Sequence, residues 1–116
     1  MKAPTVSAIK KAIENRDAKS LRSLYADDAV ITIIDSDNPP SKPRMIKGSV
    51  EIGAFLEDVY SRDMTHTVES GILEGNKLAF IQGCKYGDGG RVIASSIAEI
   101  GPKGIVKQTT VQAWDS

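Results

Sequence analysis

The sequence predicts an α+β domain in which three helices from the N-terminal half pack on a strongly curved antiparallel sheet and close on one pocket. Three observations carry this expectation. Apolar residues in the first half recur at helical spacing. In the second half, Gly75-Asn76, Asp88-Gly89-Gly90 and Gly101-Pro102-Lys103-Gly104 form turn signals about thirteen residues apart. They delimit four runs, roughly 64–74, 77–87, 91–100 and 105–114. Each run is about twice the usual strand length and reaches on the order of 35 Å at about 3.3 Å per residue. A flat sheet of that size would expose a wide apolar face, whereas twisting and coiling around the helices covers it.

The elements follow in order. Val6, Ile9 and Ile13 form an i, i+3, i+7 stripe, with Ala8 and Ala12 on the same narrow face. Asn15-Arg16-Asp17 breaks this helix, and Asp17 can cap the next through its carboxylate. Leu21, Leu24 and Tyr25 mark the buried face of a second short helix that Asp27 and Asp28 end. Ala29 to Ile34 is rich in β-branched residues and reads as a strand joining the sheet edge. Residues 35–48 contain three prolines and read as a surface loop or flap. Ile52, Phe55, Leu56, Val59 and Tyr60 give the clearest amphipathic pattern, a third helix opened by Gly48-Ser49 and closed by Arg62-Asp63.

At 116 residues the chain is long enough for one ordinary core and too short for two, so residues 1–116 read as a single domain. Fifteen Lys plus Arg balance fifteen Asp plus Glu, so no net field recruits polyanions. Nucleic acid and membrane surfaces are therefore not expected partners. The single Cys84 excludes an intramolecular disulfide and has no metal-ligand cluster around it in sequence; no cofactor is expected. With no apolar leader and no stretch of transmembrane length, the expected location is cytoplasmic.

The run Leu21-x-x-Leu24-Tyr25-Ala26-Asp27-Asp28-Ala29-Val30, a proline-bearing loop, and then Ile46-Lys47-Gly48-x-x-x-Ile52-x-x-Phe55 are followed at the end by Gly104-Ile105-Val106 and a strand closing on Trp114-Asp115. In this order and spacing the chain resembles the cone-shaped NTF2-like superfamily, within it the SnoaL-like and ketosteroid-isomerase-like group. The resemblance implies a mostly apolar pocket between the helices and the concave sheet face, and a homodimer through the convex face. The fold hosts enzymes and non-enzymes, so it does not settle function.

Two residues carry candidate proton chemistry. Asp35 follows the first strand, where the resemblance places the proton-shuttling Asp of the isomerases; the plain alternative is a loop Asp in an Asx turn with Ser36 and Asp37. The isomerases' oxyanion donors, a first-helix Tyr and a protonated Asp, correspond to about Ile9 and Ser96, neither of which supplies an equally strong donor. His66, the only histidine, matches the catalytic His of the superfamily's dehydratases, but their first-helix Asp falls around Lys11. The expected ligand-binding residues are Tyr25, Phe55, Tyr60, Met64, Gln82, Tyr86, Ser96, Thr110, Gln112 and Trp114. Gln82 and Tyr86 share one strand face with Cys84, and Thr110, Gln112 and Trp114 share another by the period of two. Cys84 reads as an inert buried thiol. Lys42, Arg44 and Lys47 form a solvated basic cluster in the flap. Two functions follow. One is a pocket for a small apolar or amphipathic ligand, with isomerase, lyase or hydrolase chemistry through His66 or Asp35. The other is a non-catalytic dimerisation or protein-association module.

Overall fold

The structure, a computed structural model, describes residues 4–115. Thr5 accepts the amide of Ala8 at 3.0 Å and starts helix α1 (Val6–Glu14). Arg16 takes a left-handed φ of 54° and turns the chain, and Asp17 caps helix α2 (Ala18–Arg22) by accepting from Ser20. Strand β1 (Tyr25–Ile34) follows, then β2 (Arg44–Lys47), helix α3 (Gly48–Ser61) and strands β3 (Met64–Glu74), β4 (Lys77–Tyr86), β5 (Arg91–Gly101) and β6 (Gly104–Trp114). The six strands form one open sheet in the order β2-β1-β6-β5-β4-β3.

Three features differ from the expectation. The sheet is mixed rather than antiparallel, because β1 runs parallel to β6, with Ile31 opposite Gln108 and Ile33 opposite Thr110. Parallel neighbours need a long crossover, which α3 and the β3–β5 meander supply. Second, β1 does not lie at the edge. Part of the proline-bearing loop returns as β2, pairs Ile46 with Ile31, and takes the edge itself. Third, α2 ends at Arg22, and Tyr25, Asp27 and Asp28 belong to β1 instead. The register between β1 and β6 shifts between Tyr25 and Val30, so the exposed Asp27 and Asp28 lie in an irregular stretch of strand. Leu21, Leu24 and Tyr25 are buried as expected, but a strand start satisfies the same apolar spacing as a helix end.

The core lies between the helices and one face of the sheet. Ile9 and Ile13 of α1, Ile52 of α3, Ile31 of β1 and Ile105 of β6 are almost fully buried. Each such side chain contributes roughly 1.5–3 kcal/mol of hydrophobic stabilisation. On β3, Met64, His66 and Val68 face inward while Thr65, Thr67 and Glu69 face out. On β5, Ala94, Ser96 and Ala98 are buried while Ile93, Ser95 and Ile97 are exposed. This strict period of two decides which side chains can reach the interior.

Candidate functional site

The helices and the inner sheet face enclose a cavity of about 540 Å³. That volume falls within the range of small-molecule sites. Its wall combines apolar side chains from every layer, among them Ile13, Leu21, Ile33, Phe55, Leu56 and Phe80. Of the twelve residues expected at the site, eleven line this cavity. Ser96 does not; it lies one step behind the wall, hydrogen-bonded to Thr110.

The buried part of the wall carries a chain of neutral hydrogen bonds. The Tyr25 hydroxyl donates to Gln108 Oε1 at 2.5 Å. Gln108 Nε2 donates to Thr110 Oγ1 at 3.0 Å, and the Thr110 and Ser96 hydroxyls are hydrogen-bonded to each other at 2.8 Å. Burial raises the Tyr25 hydroxyl well above its usual range, against the opposing bond to Gln108, so it stays a donor at any ordinary pH. Gln108 is absent from the sequence-derived set. The period of two through Thr110, Gln112 and Trp114 extends back to it.

A second group surrounds His66. The Tyr60 hydroxyl donates to Gln82 Oε1 at 3.3 Å, and the Cys84 thiol lies 3.8 Å from the same oxygen. His66 Nδ1 is 3.1 Å from Cys84 Sγ, and the His66 ring packs at a tilt on Tyr60 with centroids 4.7 Å apart. His66 Nε2 is buried and has no hydrogen-bond partner among the described residues. Desolvation lowers the His66 pKa, helped by the nearby positive charge of Arg16, so the ring is neutral at pH 7. Burial pushes the Cys84 thiol up to about 11. The sequence reading of an inert thiol agrees with that chemistry, although Cys84 is only half-buried.

Asp35 sits at the open end with its carboxylate engaged. Its Oδ1 accepts from the amides of Asp37 and Asn38 and from Asn38 Nδ2, each at 2.9 Å. Its Oδ2 accepts from Gln112 Nε2 at 2.9 Å. Burial pulls this carboxyl up, but bonds from Gln112, Asn38 and the Asp37 and Asn38 amides outweigh it and hold the pKa below the usual value. The plain reading, an Asx turn, describes this geometry. Tyr86, Gln112 and Trp114 line the same end, joined by Arg62, Arg91 and Asp115. Arg44 of β2 stacks over Phe55 at 5.2 Å, so one member of the flap's basic cluster faces the cavity. Among the described residues no group of three or more His, Cys, Asp or Glu could hold a metal ion. Among the described residues no helix is long and apolar enough to cross a membrane.

No family model matches the chain, and no curated protein does. Solved structures do. A Kribbella flavida protein provisionally named a ketosteroid isomerase is 18% identical, with 95% of this chain and 74% of that chain covered at a TM-score of 0.75. An NTF2-like protein of unknown function from Burkholderia xenovorans is 21% identical over 96% of this chain and 80% of its own, with a TM-score of 0.76. An uncharacterised protein with a cystatin-like fold from Silicibacter pomeroyi gives 18% identity, coverages of 95% and 74%, and a TM-score of 0.74. The chain has the NTF2-like fold, three helices on an open, curved, six-stranded sheet.

Proposed function

We propose that this chain binds a small, uncharged, apolar or amphipathic molecule between its helices and the inner face of its sheet. One observation carries the reading. A cavity of about 540 Å³ is walled by apolar side chains yet carries two groups of neutral hydrogen-bonding residues, around Gln108 and around Gln82. An interior built only for stability would fill that volume, because voids cost packing energy. His66 is the group in the cavity fitted to exchange a proton in an isomerase, lyase or hydrolase reaction. It is neutral, and its Nε2 has no partner among the described residues. Asp35 is less suited, since four donors already occupy its oxygens.

Prodan, an uncharged aminonaphthyl ketone, tests the reading, and the single Trp114 at the open end reports its entry. Saturable quenching of Trp114 by Prodan is expected. Ala94→Leu, which extends a buried wall residue into the lumen, is expected to weaken binding at least tenfold. No saturation in the wild-type chain, or equal affinity in the variant, would sink the proposal.

A second reading rests on the outer face of the sheet. Ile93, Ile97 and Val111 are each more than half exposed on adjacent strands. Such a patch suits self-association through the sheet, and it is compatible with ligand binding on the opposite face. Sedimentation equilibrium tests it, and a monomer at micromolar concentration would count against it.

A further inference from the structure

The sheet has two edges, and they differ in what covers them. β2 is four residues long and carries Arg44 and Lys47, so it offers little for another strand to pair with. β3 is eleven residues long, with Ile72 62% and Leu73 41% exposed near its end. Among the described residues no strand pairs with its outer side. An edge of that length is a template for pairing with a second chain. Side chains of α1 and of the turn after it occupy the template instead. Val68 donates its amide to Glu14 Oε2 at 2.9 Å, and its carbonyl oxygen accepts from Lys10 Nζ at 3.3 Å, so both groups point away from β4. Lys10 and Glu14 are themselves paired at 2.8 Å, one helical turn apart. Arg16 Nη1 donates to the carbonyl oxygens of Met64 at 3.2 Å and Arg62 at 3.3 Å. Directly after this clasp the strand is irregular, with its register to β4 shifting between Val68 and Ser70. Farther on, a Cβ on Gly71 would lie 2.7 Å from Val6 Cγ1, so the start of α1 rests on the strand there.

We infer that Lys10, Glu14 and Arg16 keep β3 from pairing with the β3 of a second copy of this chain. A second copy is the occupant the edge fits. A strand edge pairs antiparallel with itself about a two-fold axis, so one edge supplies both sides of the contact. Ile72 and Leu73 add apolar area to it, and fifteen basic against fifteen acidic residues leave no net repulsion between copies. With the clasp released, Val68 presents a free N–H and C=O on the same strand as those apolar side chains, the combination that strand addition uses. This edge is separate from the cavity and from the outer sheet face, so the inference stands apart from the ligand reading.

The test is made in an Ile97→Lys background, so that association through the outer face is measured separately. Lys10→Ala combined with Glu14→Ala, checked for folding by circular dichroism, is expected to raise the self-association constant at least tenfold over that parent in sedimentation equilibrium. Glu14→Ala alone, which frees the Val68 amide with one change, is expected to shift association the same way. Amide hydrogen exchange at Val68 is expected to be fast in the dilute double variant and to slow as its concentration rises, because the second strand takes over the amide. Glu14→Gln keeps an oxygen for that amide and is expected to associate no more than the parent. Unchanged association in the folded alanine variants overturns the inference. So does association that leaves Val68 exchange independent of concentration, or a Glu14→Gln variant that associates as strongly as the double alanine variant.

Discussion

At the scale of single residues, His66 is the most informative side chain in the molecule. It is 5% exposed on β3, touches Cys84 and Tyr60, and leaves Nε2 unpartnered. An imidazole in this setting resists protonation. Its folded-state pKa lies below the ordinary value near 6.5 because charging it would place a cation in the core near Arg16. The linkage sign follows. The unfolded chain takes up the proton first as pH falls, so His66 contributes stability above about pH 6.5 that is lost as pH falls through the folded-state value. Urea denaturation at a series of pH values between 7.5 and 5 is expected to show this decline as pH falls. His66→Gln should flatten it. A wild-type profile flat over the same range would show that the imidazole charges freely. The candidate site was partly legible at this scale. Gln82 and Thr110 were readable because polar residues in apolar strands at period two must face something, whereas Tyr25 was found through an apolar spacing read as helix. The Asx turn of Asp35 was legible as the plain alternative, but the bond from Gln112 was not, because that donor lies on β6, which no local pattern connects to Asp35.

At the scale of elements, the turn between β5 and β6 does more than reverse the chain. Gly104 has φ of +121°, and a Cβ placed there would lie 2.7 Å from the Leu24 carbonyl oxygen. The next residue, Ile105, donates its amide to that same Leu24 oxygen at 2.9 Å. The junction between α2 and β1 is therefore pressed against the start of β6 with no space for a side chain. Gly104→Ala is expected to destabilise by about 1–3 kcal/mol from backbone strain alone, and by more once the contact with Leu24 is included. Thermal denaturation checks this, with Gly75→Ala as the control. Gly75 also has positive φ, but nothing lies within 4 Å of its added Cβ. Equal losses in the two variants would remove the close approach from the explanation. Helices α1 and α3, the start of α2 and the turns were legible because caps and periodicity are local: Asp17 caps as its position predicts, and α3 buries Ile52, Leu56 and Tyr60. β2 was not, since Arg44 to Lys47 becomes a strand only by pairing with β1, and its residues show no pattern alone.

At the scale of the whole molecule, the curved sheet has two faces with different work. The inner face carries the cavity, and the outer face presents Ile93, Ile97 and Val111 between Ser95 and Thr109. If the outer face joins two copies, Ile97→Lys places a charge at the centre of the contact and should convert dimer to monomer in sedimentation equilibrium. Prodan affinity should change little, because Ile97 points away from the cavity. An unchanged sedimentation profile would detach association from this face. The pairing of β1 with β6 has a further consequence, for the time order of folding. Tyr25 lies beside Ile105 and Ile34 beside Val111, so each pair joins residues about 80 positions apart. Once synthesised, β1 must wait for about 80 further residues before its inner neighbour exists. Such long-range closure is slow, on the milliseconds-to-seconds scale of β-rich domains. Tyr25 and Gln108, hydrogen-bonded across that same seam, can meet only after β6 has been made. The cavity is thus among the later features of this domain to form, since its wall is incomplete until β6 has joined β1.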